Sequence, residues 1–298
     1  MAMIFVKIFT NIMAEIFHEH IWNVAESHIG ITMHKLQTTA APTFFETLPN
    51  AKLHEAFKTK LISTDTARYL NNYYTNLYSA SSDILVLPIV GEMSRYSYWS
   101  LGMEELAKLL DVARADDKYK GAVLKISTPG GTADGCSMLA DAVTNFRKSK
   151  PVVTSTNRCL SAGYFIASQG DEIVVEDSAM SSLGSISSLI IYENYARQLQ
   201  MQGVDVEMIR ANGGENKAKI NPYEPLTEET RGYLQAQANA ARKEFVGYVK
   251  RGRVGKIKNE DVFSGNVYGA KDAIMLGLAD KIGDFSAAIK RCQQLAHS

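Results

Sequence analysis

Between residues 84 and 176, short continuous apolar runs alternate with segments whose apolar residues recur at helical spacing. ILVLPIV (84–90), GAVLKIS (121–127), PVVTST (151–156) and EIVVE (172–176) have the length and β-branched content of buried strands. MEELAKLLDVARADD (103–117) gathers Leu106, Leu109, Leu110 and Ala113 on one helical face. TADGCSMLADAVTNFRKS (132–149) does the same with Met138, Leu139, Ala142, Val143 and Phe146. SAGYFIAS (161–168) opens a further helix. Helices inserted between successive strands act as crossovers, so the expected class is α/β with a largely parallel sheet flanked by helices. A long helix is predicted over 227–252, with Thr227 as its N-cap and Glu228 and Glu229 in its first turn.

The chain divides near residue 80. Its 298 residues suit one large domain or two modest ones at about 100–200 residues per domain. Residues 1–80 read as a helical N-terminal extension without Gly-rich turns or evident chemistry, and 81–298 as the main domain. Ile4, Ile8, Ile12 and Ile16 fit an amphipathic helix that packs on a core or a partner. Lys7 interrupts the N-terminal apolar stretch, so a signal peptide is not expected. No stretch reaches the roughly 20 apolar residues of a membrane span, which speaks against stable membrane insertion. Lys and Arg number 32 against 32 Asp and Glu, and this balance gives no electrostatic footprint for nucleic acid. The basic run KRGRVGKIK (250–258) reads as a solvated helix end. Cys136, Cys159 and Cys292 are too few and scattered for a disulfide framework, so a reducing, cytoplasmic setting is expected.

Two turns at strand ends carry the candidate chemistry. Thr128-Pro129-Gly130-Gly131 joins a strand to a helix. Its adjacent glycines can leave backbone N–H groups bare for an oxyanion, although a plain βα turn is the first reading of such a tetrapeptide taken alone. It contains neither phosphate-cradling glycine signature. Cys159-Leu160-Ser161-Ala162-Gly163-Tyr164 is the second turn. Ser161 there reads first as the N-cap of its helix, and second as a nucleophile held at a sheet edge with the Ala162 N–H beside it.

A serine nucleophile needs a base. All six histidines lie outside residues 55–296, so within that span the base is a carboxylate or a lysine. A lysine base must be neutral, about three units below its ordinary pKa of roughly 10.4, which requires enclosure.

The stretch from about residue 84 to 290 resembles the signal-peptide-peptidase-A family of serine peptidases, family S49, on the Clp/crotonase-type fold. The resemblance rests on GAVLKISTPGG, SAGYFIAS, LGSIS (183–187), NKAKINPYEPLTEE (216–229) and VFSGNVYGAKDAIMLGLADKIGDFSAAI (262–289), in the family's order. The NPYEPL segment looks most like the phage branch, the capsid or prohead maturation proteases. The resemblance implies that Ser161 is the nucleophile and Lys217, five residues before Pro222, the general base, with Lys219 as its rival. Gly131 and Ala162 are implied to form the oxyanion hole, Gly130 to shape its turn, and Ser185 to support the lysine. A wider gap than usual between Ser161 and Lys217 implies a small insertion.

The implied activity is a serine endopeptidase with a Ser-Lys dyad that needs no metal and no cofactor. Its implied substrate is a protein or peptide bound as an extended strand. Capsid, scaffold or portal proteins would be its partners, and it would act as a homo-oligomer in the host cytoplasm or the prohead. The alternatives are a cellular protease of the signal-peptide-peptidase type, a crotonase-type acyl-CoA enzyme, and an inactive assembly module.

This chain departs from the family at TPGG for SPGG, SAG for SGG and GSIS for GSIG. Ala162 serves as a donor only if its position does not require a positive φ. His18, His20 and His28 lack a metal-protease spacing and read as solvated or packed, while Cys159 reads as a small buried hydrophobe.

Overall fold

The computed structural model describes residues 22–24, 83–96 and 101–298. Strands β2 (Ile84–Val90), β3 (Gly121–Thr128), β5 (Val152–Leu160), β6 (Glu172–Val175) and β9 (Lys281–Ile282) lie side by side in that order, every neighbouring pair parallel. The C-terminal part of β5 also pairs in parallel with β7 (Ser182–Gly184), which pairs antiparallel with β8 (Val267–Tyr268). The sheet is therefore largely parallel, as the strand–helix alternation requires.

Side chains alternate across each strand, and both faces of this sheet are apolar. Leu85, Leu87, Leu124 and Ile126 point to one face. They meet helices α1 (Met103–Ala115), α2 (Cys136–Arg147) and α3 (Ala162–Ala167). Ile84, Val86, Val123, Val153 and Val174 point to the other, where the C-terminal helix (Phe285–Ala296) covers them with Phe285, Ala288, Ile289 and Cys292. The result is helix, sheet, helix, held by side chains each contributing about 1.5–3 kcal/mol through burial. The two faces explain why the strands are near-continuous apolar runs instead of alternating ones.

Three boundaries differ from the sequence reading, and all three bear on the site. Strand β5 runs on to Leu160, so Cys159 belongs to the strand, not to the turn. Helix α2 begins at Cys136 because Gly130–Thr132 is drawn off into a short strand, β4. Trp22–Val24, inside the extension expected to be helical, is a strand (β1) antiparallel to β4. The helix expected around Ile4–Ile16 lies outside the described residues. The segment between β7 and the long helix holds one short helix, α4 (Ala196–Met201), and is otherwise irregular. The long helix, α5 (Glu228–Gly252), starts where predicted, with the Thr227 side chain accepting from Thr230 N.

The basic run at the end of α5 is solvated only in part: Lys250, Arg251 and Lys258 are exposed, as expected, but Arg253 and Lys256 turn inward. Arg253 is completely buried, donating to Gly277 O and to Asp280, and Lys256 reaches the other oxygen of the same carboxylate.

Candidate active site

Three corners meet because they leave adjacent parallel strands at neighbouring register positions. Thr128, before the Gly130-Gly131 turn, pairs with Cys159, just ahead of Ser161. Leu160 pairs with Gly184, just ahead of Ser185. Gly130, Gly131, Ser161, Ala162 and Ser185 are thus gathered at the carboxyl edge of the sheet, where open α/β sheets bind their ligands.

Ser161 is held in an unusual state. Its backbone has φ 52° and ψ −120°, and its N–H donates to Gly184 O at 2.9 Å while its carbonyl accepts from Phe165 N at 2.9 Å. The side chain is buried, and its hydroxyl has no hydrogen-bond partner among the described residues. It makes no capping bond to α3, so the helix-cap reading of Ser161 is not realised. A non-glycine residue at such a φ costs on the order of 1–3 kcal/mol. An unsatisfied buried hydroxyl adds about 1–3 kcal/mol. Thr154 and Thr156 also bury unpartnered hydroxyls, but of the three only Ser161 combines this with a positive φ.

The N–H groups expected as oxyanion donors, those of Gly131 and Ala162, are oriented by the backbone around them. Met93 N donates to Gly130 O, and Thr132 N donates to Met93 O, each at 2.9 Å. Both contacts lie on one edge of β4. Strand alternation therefore aims the Gly131 N–H at the opposite edge, which Asn23 of β1 borders in antiparallel register. Position 131 admits only glycine, since a Cβ there would lie 1.8 Å from Met93 O. Gly130, at φ +111°, makes the turn, and its N–H donates to Thr128 Oγ1 at 3.0 Å. Ala162 is not among the positive-φ residues, so the SAG variant costs it nothing, and Ser161 takes the left-handed conformation instead. As the first residue of α3, Ala162 has an N–H without an intrahelical acceptor.

Ser185 also adopts a positive φ, 54°, and donates its N–H to Asn266 O at 2.8 Å. Tyr164 fixes the far side of α3 by donating its hydroxyl to Leu278 O at 2.9 Å. Cys159 is fully buried, and burial pushes its thiol up, which leaves it a packing residue.

The two lysines differ in engagement. Lys219 donates to Glu229. Lys217 is exposed, on the irregular segment ahead of α5. The unpartnered Ser161 hydroxyl shows that neither lysine is hydrogen-bonded to it within one chain. His18, His20 and His28 lie outside the described residues. Met93 escaped the sequence reading because its contribution is made by its backbone, and the surrounding GEMSR carries no motif. Among the described residues, no helix is long and apolar enough to cross a membrane.

The chain is similar to known proteins. The model of peptidase family S49 matches residues 144–298. Capsid assembly protease C of Escherichia phage lambda is 31% identical over 221 residues, covering 71% of this chain and 49% of its own. Protease 4 of Haemophilus influenzae is 26% identical over 199 residues, 66% of this chain and 32% of its own. A proposed protease of Methanocaldococcus jannaschii is 33% identical over 192 residues, 63% of this chain and 60% of its own. The chain thus spans between about a third and three fifths of these relatives' lengths. Among solved structures it is similar to the 1510-N membrane-bound stomatin-specific protease bound to a substrate peptide. That match has a TM-score of 0.44 and 16% identity, covering 70% of this chain and 78% of the other. It is also similar to an enoyl-CoA hydratase/isomerase family member, with a TM-score of 0.42 and 14% identity, covering 73% of each chain.

Proposed function

The chain belongs to peptidase family S49, and from that premise we propose that it is a serine endopeptidase whose nucleophile is Ser161 and whose base is Lys217. The observation that carries this reading is the buried, unpartnered Ser161 hydroxyl on a left-handed strand-to-helix corner beside Gly131. Neutral Lys217 takes the Ser161 proton as the hydroxyl oxygen attacks a peptide carbonyl. The N–H groups of Gly131 and Ala162 hold the oxyanion. The lysine ammonium then protonates the leaving amine, and water hydrolyses the acyl-enzyme.

The substrate lies as an extended strand along the edge of β4 that faces away from Met93, in the place that Trp22–Val24 occupies. The antiparallel pairing of Trp22–Val24 with that edge supports the reading, because it places an extended backbone opposite Gly131. Neutral lysine requires desolvation, and Lys217 is exposed in one chain. The same irregular segment exposes Met201 at 80% and Ile209 at 88%. A second copy covering these residues would enclose the lysine, so the active form is a homo-oligomer.

Capsid or scaffold protein is the substrate class, by similarity to the lambda capsid assembly protease, with the host cytoplasm or the prohead as the setting. A cellular protease is the second reading, favoured by similarity to Protease 4. Co-expression with the capsid or scaffold protein tests the proposal. Processing should occur with the natural chain and disappear in Ser161→Ala and Lys217→Ala. Unchanged processing in either variant overturns the site, and loss only in Lys219→Ala transfers the base to that residue.

A further inference from the structure

Lys217 sits on an irregular loop, yet the backbone around it is gripped at several points. Arg210 Nε donates to Lys217 O at 2.7 Å, and its Nη2 donates to Ala218 O at 3.1 Å. The guanidinium is itself fixed by a fork onto Glu224, with Nη1 to Oε1 at 2.9 Å and Nη2 to Oε2 at 2.5 Å. Asn221 closes the arrangement, its Nδ2 donating to Ala218 O at 2.9 Å and to Glu224 Oε2 at 2.7 Å. Its Oδ1 accepts from Tyr223 N and Glu224 N, an Asx turn of the kind an Asn-Pro pair favours. Ala218 is thereby held at φ +56°, a conformation that an alanine does not adopt unaided.

We infer that Arg210, oriented by Glu224 and Asn221, is a positioning residue that presents Lys217 as the base. The inference deepens the proposed function and rests on its assignment of Lys217. The chemistry suits the task. A lysine on a flexible stem and a flexible loop would sample many positions, whereas a planar fork can hold two successive carbonyls and a carboxylate at once. Fixing the lysine's own carbonyl and the one after it pins the backbone that leaves its Cα, and so limits the directions its side chain can take. That geometry decides catalysis, since a misplacement of about 1 Å can cost on the order of 10²-fold.

The test uses the full chain and a fluorophosphonate probe, whose rate of attachment to Ser161 reports nucleophile activation without a known substrate. Labelling is followed against pH for the natural chain, Ser161→Ala, Lys217→Ala, Arg210→Gln, Arg210→Lys and the swap Arg210→Glu/Glu224→Arg, with thermal unfolding of each to show that it folds. Arg210→Gln should label on the order of 10²-fold more slowly, with the rising limb of its pH profile moved upward. Arg210→Lys should recover only part of the rate. The swap rebuilds the ion pair but strips Lys217 O of its donor and leaves Ala218 O to Asn221 alone, so it should stay slow. Natural rates in Arg210→Gln, or restoration by the swap, overturn the inference while leaving the nucleophile and base in place. Labelling that survives in Lys217→Ala, or that is absent from the natural chain, overturns the proposed site and the inference with it. Should Arg210→Gln fail to fold, Arg210→Lys decides: its full natural rate would overturn the grip.

Discussion

The methyl group of Thr128 fills the space that a side chain on Gly163 would need: a Cβ at position 163 would lie 2.3 Å from Thr128 Cγ2. The two residues belong to different turns, one just ahead of Gly130-Gly131 and one just after Ser161. Thr128 also donates to Gly91 O at 2.5 Å and accepts from Gly130 N at 3.0 Å, so its hydroxyl shapes the first turn while its methyl presses on the second.

This contact predicts a compensating pair. Gly163→Ala should destabilise the fold by about 1–3 kcal/mol through overpacking. It should also lower peptidase activity, because α3 carries Ala162, the proposed second oxyanion donor. Thr128→Ser removes only the methyl and keeps the hydroxyl. The double variant Thr128→Ser/Gly163→Ala should regain most of the lost stability in urea unfolding, measured as a double-mutant cycle. Independent, additive effects would show that the two turns are not coupled through this contact.

Much of this architecture was legible in the sequence. The four apolar runs gave the parallel strands, since a strand buried on both faces must be apolar throughout. Gly131 and Ser161 stood out because turns with such residues limit the backbone in recognisable ways. What escaped was whatever depends on distant partners. Met93 acts through its backbone. Arg253 sits in a basic run that looks solvated, and only its contact with Asp280 reveals it as buried. Arg210 drew no reading, and Glu224 stood only as part of the NPYEPL segment, because no local pattern tells a fork over a loop from a solvated pair.

The strain at Ser161 predicts a trade of stability against activity. Ser161→Ala and Ser161→Gly should both abolish turnover by removing the proposed nucleophile. Only glycine occupies φ 52° without a side-chain penalty. Ser161→Gly should therefore be the more stable of the two by about 1 kcal/mol in thermal or urea unfolding. Equal stability would mean that the corner stores no strain.

Glu224 predicts an acid dependence. The Arg210 guanidinium, helped by Asn221, holds its carboxyl down at about 2, against an ordinary 4.5. A depressed carboxylate contributes stability that is present above the unfolded value and lost as pH falls through the folded one. The grip on the Lys217 loop should thus weaken between pH 4.5 and about 2 and be indifferent to pH above that window. Carbon-13 NMR of the labelled glutamate carboxyls should find one group titrating near the bottom of this range, and Arg210→Gln should return it toward the ordinary value. A Glu224 that titrates normally in the natural chain would contradict the fork.

Arg253 and Asp280 predict the largest loss of stability. Arg253 is 1% exposed and donates to Asp280 Oδ2 at 2.6 Å, while Lys256 donates to Oδ1 at 2.7 Å and Ile173 N to Oδ2 at 2.7 Å. Burial opposes ionisation of Asp280, but Arg253 and Lys256 outweigh it and hold the carboxyl below its ordinary value. Arg253→Met would leave a largely buried carboxylate with one cation, at a cost of about 3–5 kcal/mol in urea unfolding. Arg253→Met/Asp280→Leu removes both charges and should recover a large part of that loss. The effect should reach the site as well, because Leu278, two residues before Asp280, accepts the Tyr164 hydroxyl that anchors α3. Fluorophosphonate labelling of Ser161 should therefore slow in Arg253→Met under conditions where the protein remains folded. A natural labelling rate there would separate the buried ion pair from the nucleophile corner and confine it to stability alone.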